Sequence, residues 1–195
     1  MADIVHPGAG LLFMKVGTHA QETLSDIIAR KTKEIEEAGF AMWGYGGGTC
    51  HPRTMVQPFA KRVMGLGEPI YLCMEEMHSN HFAEQLCAAE YSADNETWET
   101  IPEKIRVLGS RYALLIEDLH KEEFKLPLDQ TRVAIGPSMG RLGSRYIKGR
   151  VDKACLEVLD KPEKANVEQG DAMERSINLV AKLRAPYAVF LRKYR

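Results

Sequence analysis

The chain has 195 residues, 45% hydrophobic and 27% charged, with a formal net charge of −1 and a mean hydropathy of −0.28. That length fits one domain of ordinary globular composition, long enough to bury a real core. A net charge so near zero excludes histone-like bulk basicity. No unbroken apolar run exceeds five residues, far short of the about 20 that cross a bilayer.

Met1-Ala2-Asp3-Ile4-Val5-His6-Pro7 has no basic segment leading into a long apolar one, so no secretory leader is expected. Cys50, Cys73, Cys87 and Cys155 form no CxxC pair. They read as reduced thiols of a cytoplasmic chain rather than as a disulfide framework.

The first expected element is a strand over Leu11–Val16. A helix follows over Leu24–Ala38, with Leu24, Ile27, Ile28 and Ile35 on one face, Thr23 and Asp26 as the N-terminal cap pair and Gly39 as the stop. Phe40–Trp43 reads as a short strand running into a Gly-rich loop. Pro58 belongs in a first helical turn, which places the next helix at Pro58–Met64 with its start near Gln57. Pro69–Met77 alternates as a buried strand, a helical fragment is expected near Phe82–Ala88, and Asp94-Asn95 marks a turn.

Arg106–Val107, Tyr112–Leu119, Phe124–Leu126 and Arg132–Ile135 read as strands. A long helix is expected over Gly140–Leu159, then a surface loop over Asp160–Asp171, then a tail over Ile177–Leu191 that ends as a strand after Pro186. Strands and three or so helices mixed irregularly along a single domain point to an α+β fold with a mixed or mostly antiparallel sheet.

Charge is unevenly placed. From Glu75 to Glu103 there are eight acids and no Lys or Arg, and from Pro137 to Lys153 there are five bases and one acid. On the expected basic helix, residues 137–159, Arg141, Arg145 and Lys148 fall on one face, and with Arg150 they are candidates for holding phosphate. Gly140, Gly143 and Gly149 would each weaken that helix by about 1 kcal/mol relative to Ala, which suggests close backbone approach.

The most unusual stretch is Trp43-Gly44-Tyr45-Gly46-Gly47-Gly48-Thr49-Cys50-His51. A strand, a Gly-rich turn and a helix make a phosphate cradle in mononucleotide folds. Here neither a Walker loop nor a Rossmann fingerprint is complete, and no motif requires a cofactor. Trp43 and Tyr45 are candidate stacking partners for a base, with Gly46, Gly47, Gly48, Thr49 and His51 around them. His51, with Cys50 beside it, is the alternative candidate for acid–base or nucleophilic chemistry. His78 and His81 are the alternative metal ligands, on condition that their segment is helical.

Several segments resemble the PUA-like superfamily, in particular its EVE and ASCH branches. They are Leu11-Leu12-Phe13-Met14-Lys15, the turn Trp43-Gly44, Gly67-Glu68-Pro69-Ile70-Tyr71-Leu72 and Ala88–Asp94, within the first half to two-thirds of the chain. Glu68 stands where that family usually has Asp. The resemblance implies a small pseudo-barrel with flanking helices that binds RNA or modified DNA bases in an aromatic-lined cleft, with Trp43 near the cleft.

Three functions are compatible with these residues. One is a nucleic-acid- or nucleotide-binding module that reads a base near Trp43. Another is a small enzyme on a nucleotide or phosphorylated metabolite, with His51 as acid or base. The third is a non-catalytic interaction protein that presents the acidic stretch to a basic partner. The expected partner is a nucleic acid or nucleotide, a homodimer is left open, and no membrane association is expected.

Overall fold

The computed structural model describes residues 4–46, 51–81, 86–163 and 168–193. In chain order the elements are β1 (Gly10–His19), α1 (Leu24–Ala38), β2 (Ala41–Gly44), α2 (Arg53–Gly65), β3 (Tyr71–His81), β4 (Glu90–Ser92), β5 (Glu99–Thr100), β6 (Tyr112–Pro127), β7 (Thr131–Val133), α3 (Gly143–Tyr146), β8 (Lys153–Val158) and β9 (Glu174–Arg192). The strands form one sheet in the order β2-β6-β9-β3-β1-β8-β7, with β4 also on β9 and β5 on β4. β1 and β3 run parallel, joined through α1, β2 and α2, and the other pairs are antiparallel. The chain is therefore α+β, with an open mixed sheet and three helices.

Period-two burial separates the two faces of this sheet. Leu12, Leu72, Met74 and Cys155 join α1 and α2 in one core cluster, whereas Leu11, Phe13, Cys73, Ala154 and Leu156 join a second on the opposite face. Ile101, Ile105 and Val107 pack on Met42, Ala113 and Leu115 in a third cluster.

The start of the chain follows the sequence closely. α1 has the expected bounds, the Thr23 hydroxyl accepts the Asp26 N–H, and Gly39 closes the helix in the left-handed region. Elsewhere tertiary packing overrides local signals. α2 begins at Arg53, so Pro58 lies inside it; Val56, Phe59, Ala60 and Val63 are buried and hold the helix on the sheet despite the missing N–H. The two strands expected between Tyr112 and Leu126 are one strand with register shifts, and the tail is one strand from Glu174 to Arg192. Pro186 sits where the β6–β9 register jumps from Leu114↔Ala188 to Ile116↔Leu183, so its lack of a donor breaks no ladder bond there.

The long basic helix over Gly140–Leu159 is not formed. The segment contains the four-residue α3 and then strand β8. Gly140 and Gly149 adopt left-handed φ on either side of α3, which a continuous helix cannot accommodate, and β8 is drawn into the sheet between β1 and β7. Arg106–Val107 is irregular rather than a strand, as is the described part of the expected fragment near Phe82–Ala88, where Cys87 bridges Leu108; residues 82–85 lie outside the described residues. The Asp94-Asn95 turn forms as expected: Asn95 has φ 68° and Asp94 Oδ1 accepts the N–H groups of Glu96 and Thr97.

Candidate functional site

A cleft of about 440 Å³ opens beside the C-terminal half of β1, a volume within the usual range of small-molecule sites. Its walls are residues 14–19 of β1, the face of α1 carrying Leu24, Ile27, Arg30 and Lys31, residues 42–46 at the end of β2, the loop 106–110, and Gly149, Arg150, Asp152 and Lys153 before and into β8. Met77 also lines it, where the β1–β3 register jumps from Val16↔Glu76 to Thr18↔Asn80 and β3 bulges. At Gly17, Thr18, Leu24 and Met77 the cleft continues into a shallower groove of about 330 Å³ edged by Thr23, Ser25, Glu76 and His78.

Trp43 and Tyr45 reach the cleft because β2 pairs with β6 in the register Trp43↔Leu114 and runs out toward Tyr112. Both are floor residues rather than free-standing walls. Trp43 is 5% exposed and its indole N–H donates to Met14 Sδ at 3.4 Å. Tyr45 is 1% exposed, its hydroxyl is shared between the carbonyls of Phe13 (3.2 Å) and Ala154 (3.4 Å), and its ring is tilted on Tyr112.

Gly44 and Gly46 meet the chain's own side chains closely: a Cβ would lie 2.2 Å from Ser110 Oγ in the first case and 2.3 Å from the Tyr112 ring in the second. Gly47, Gly48, Thr49 and Cys50 lie outside the described residues.

Lys31 and Glu34 shape the wall opposite. Both fall in the apolar stripe of α1 and are buried. Lys31 Nζ meets Glu34 Oε2 at 2.9 Å and also donates to the Arg106 carbonyl. Glu34 Oε1 accepts the Arg106 N–H at 3.0 Å, and Arg30 adds a bond to the Arg106 carbonyl at 2.9 Å. The Arg106 peptide is thus gripped on both sides. Two positions on, the His19 ring Nε2–H donates to the Leu108 carbonyl at 3.1 Å. Burial pushes the Lys31 ammonium down to about 8, partly offset by Glu34.

The basic residues of 137–153 divide between two places. Arg150 and Lys153 line the cleft, with Lys153 Nζ 6.0 Å from the Tyr45 ring centroid and paired to Asp152 at 2.9 Å. Arg145 and Lys148 are turned to the loop after β8: Arg145 meets Glu168 at 2.7 Å, and Lys148 meets Asp171 at 3.0 Å. Arg141 is exposed and does not line the cleft. The acidic stretch makes its own ion pairs, Glu75 with Arg175 and Glu90 with Arg192, so none of the ion pairs among the described residues joins it to the basic segment.

His51 is outside the cleft lining. It is 8% exposed and stacks on Tyr146 at 6.3 Å and 9°; its Nε2 is buried without a hydrogen-bond partner among the described residues. Burial holds its pKa below the ordinary imidazole value. The segment of His78 and His81 is strand, so the helical condition for joint ligation is not met, and no metal-capable group of three or more His, Cys, Asp or Glu occurs among the described residues.

Sequence reasoning missed Lys31, Glu34, Arg106 and Lys153. The available signal was spacing: Lys31 and Glu34 stand four and seven positions after Ile27, inside the apolar stripe.

An open nine-stranded mixed sheet with three helices and a cationic, Trp-floored cleft is the class that fold and site define. No family model, no curated protein and no solved structure matches this chain.

Proposed function

We propose that this chain is a nucleic-acid- or nucleotide-binding module that takes a nucleobase into the Trp43 cleft. One observation carries the reading: Trp43, Tyr45 and Gly46 converge with Arg150 and Lys153 on a single cleft of about 440 Å³. An aromatic and apolar floor under a cationic rim suits a flat heterocycle attached to an anion. The cleft also continues past Thr18 into a polar groove, which leaves room for a chain longer than one nucleotide. The EVE-type resemblance around Trp43-Gly44 belongs to the same reading.

The acid–base alternative is weaker because His51 lies apart from the cleft lining. The test is fluorescence anisotropy with short single- and double-stranded DNA and RNA, carrying plain and modified bases, across a salt series. Binding that weakens steeply with salt is expected, because each neutralised phosphate releases counterions. Trp43→Phe should change base preference with the fold kept. Absence of binding at low salt overturns the proposal.

A further inference from the structure

Six cations line the cleft: Lys15, Arg30, Lys31, Arg106, Arg150 and Lys153, against one carboxylate, Asp152. Several are already committed. Arg30 is held by Glu22 at 2.6 Å and Glu34 at 3.1 Å, Lys31 by Glu34, and Lys153 by Asp152. Lys15 is half-buried and stands beside Arg175, Glu75 and Asp152. Arg106 and Arg150 differ: both are exposed, and neither has an ion pair among the described residues.

These two residues come from different walls. Arg106 lies in the loop before β6, where Glu34 accepts its N–H and Lys31 and Arg30 donate to its carbonyl, so its side chain leaves from a fixed backbone. Arg150 follows Gly149, whose φ of 62° turns the chain immediately before the cleft-lining run into β8. A planar guanidinium suits bidentate contact with a phosphate, and a fixed backbone lowers the ordering cost of making it.

We infer that Arg106 and Arg150 hold the phosphate of the nucleotide whose base enters the Trp43 cleft. The inference rests on the nucleobase reading above and assigns its anion subsite. It moves phosphate recognition away from Arg141, Arg145 and Lys148. Arg145 and Lys148 face the 168–171 loop, where Glu168 and Asp171 already neutralise them. A nucleoside monophosphate group is the shared chemistry, whether it is a free nucleotide or one unit of a strand.

The experiment uses the full chain with Arg106→Gln, Arg150→Gln and, as control, Arg141→Gln. All three residues are exposed, and thermal melts check that the fold is kept. Calorimetric titrations compare deoxynucleoside monophosphates with the matching nucleosides, and anisotropy follows a short labelled single-stranded oligodeoxynucleotide. The variants are read on whichever phosphate-bearing probe binds wild type. Arg106→Gln and Arg150→Gln should each lower affinity about tenfold and flatten the salt slope by about one, because each removes one charge-assisted contact. Arg141→Gln should change neither. Tighter binding of the oligonucleotide identifies a strand as the source, and tighter binding of the monophosphate identifies a free nucleotide.

Equal affinity of nucleoside and monophosphate overturns the inference, as does a loss at Arg141 equal to that at Arg106 and Arg150. If Trp43→Phe alters nucleoside binding while the arginine variants do nothing, the base reading stands and the phosphate assignment falls. If no probe binds at low salt, both fall.

Discussion

Glu34 and Arg106, 72 positions apart, meet through a 3.0 Å hydrogen bond from the Arg106 N–H to Glu34 Oε1. That contact joins the buried side of α1 to the loop forming the opposite cleft wall. A carboxylate 2% exposed is tolerable only because Lys31, Arg30 and this peptide satisfy it together.

Removing one partner should therefore be costly. Glu34→Ala should destabilise the fold by about 3 kcal/mol, since it leaves a buried ammonium and an orphaned N–H. Lys31→Met should cost less, because Arg30 still neutralises Glu34. Urea unfolding measures both, and equal stability of Glu34→Ala and wild type would contradict the clamp.

The same lysine gives a pH signature. Burial holds Lys31 at about 8 in the folded chain against an ordinary 10.5. Between those values the unfolded chain binds more protons, so stability rises with pH across that window. Wild type should gain on Lys31→Met from pH 8 to 10.5 in paired denaturation curves.

Two glycines beside Trp43 should respond unequally to a methyl group. At Gly44 the nearest obstacle is the Ser110 hydroxyl, which can rotate; at Gly46 it is the Tyr112 ring at 2.3 Å with the Tyr112 backbone nitrogen at 2.9 Å. Gly46→Ala should cost about 1–3 kcal/mol by overpacking and Gly44→Ala less. Thermal melts of both variants decide, and Ser110→Gly should relieve only the Gly44 variant.

His51 and His120 should pull acid stability in opposite directions. Burial depresses His51, so the unfolded chain takes up its proton first and stability falls as pH drops below 6.5. His120 is bracketed by Asp118 at 2.8 Å and Glu122 at 2.9 Å, and these bonds outweigh desolvation to raise its pKa above 6.5. Its contribution is complete below 6.5 and is lost as pH rises through the raised value. His51→Gln should flatten the acid limb, and His120→Gln should lower the melting temperature at acid pH but not at alkaline pH.

The thiols should also separate. Cys73 and Cys155 are buried and Cys87 is exposed, and burial pushes the Cys73 thiol far up. Alkylation with mass-spectrometric mapping should modify Cys87 in the native chain and reach Cys73 and Cys155 only on unfolding.

Local sequence determined what local physics controls. The Thr23 cap, the Ile27-centred stripe and the Gly39 stop set α1 to the residue, because capping bonds and helical periodicity act within a few positions. The apolar run from Leu11 and the alternation over Pro69–Met77 marked the strands β1 and β3 for the same reason. The α+β class and the placing of Trp43 at a strand end followed from these patterns.

Tertiary structure decided the rest, because the deciding contacts are distant in sequence. Residues 140–159 have a basic periodicity that suits a helix, yet β8 pairs with β1 and β7 while Gly140 and Gly149 turn the chain through left-handed φ. Arg145 and Lys148 are spent on the 168–171 loop, whereas Arg106, which no motif singled out, stands at the cleft with its peptide clamped by α1. Charge composition places cations in the chain; only the sheet order, set by burial of both faces, decides which of them share a cleft with Trp43.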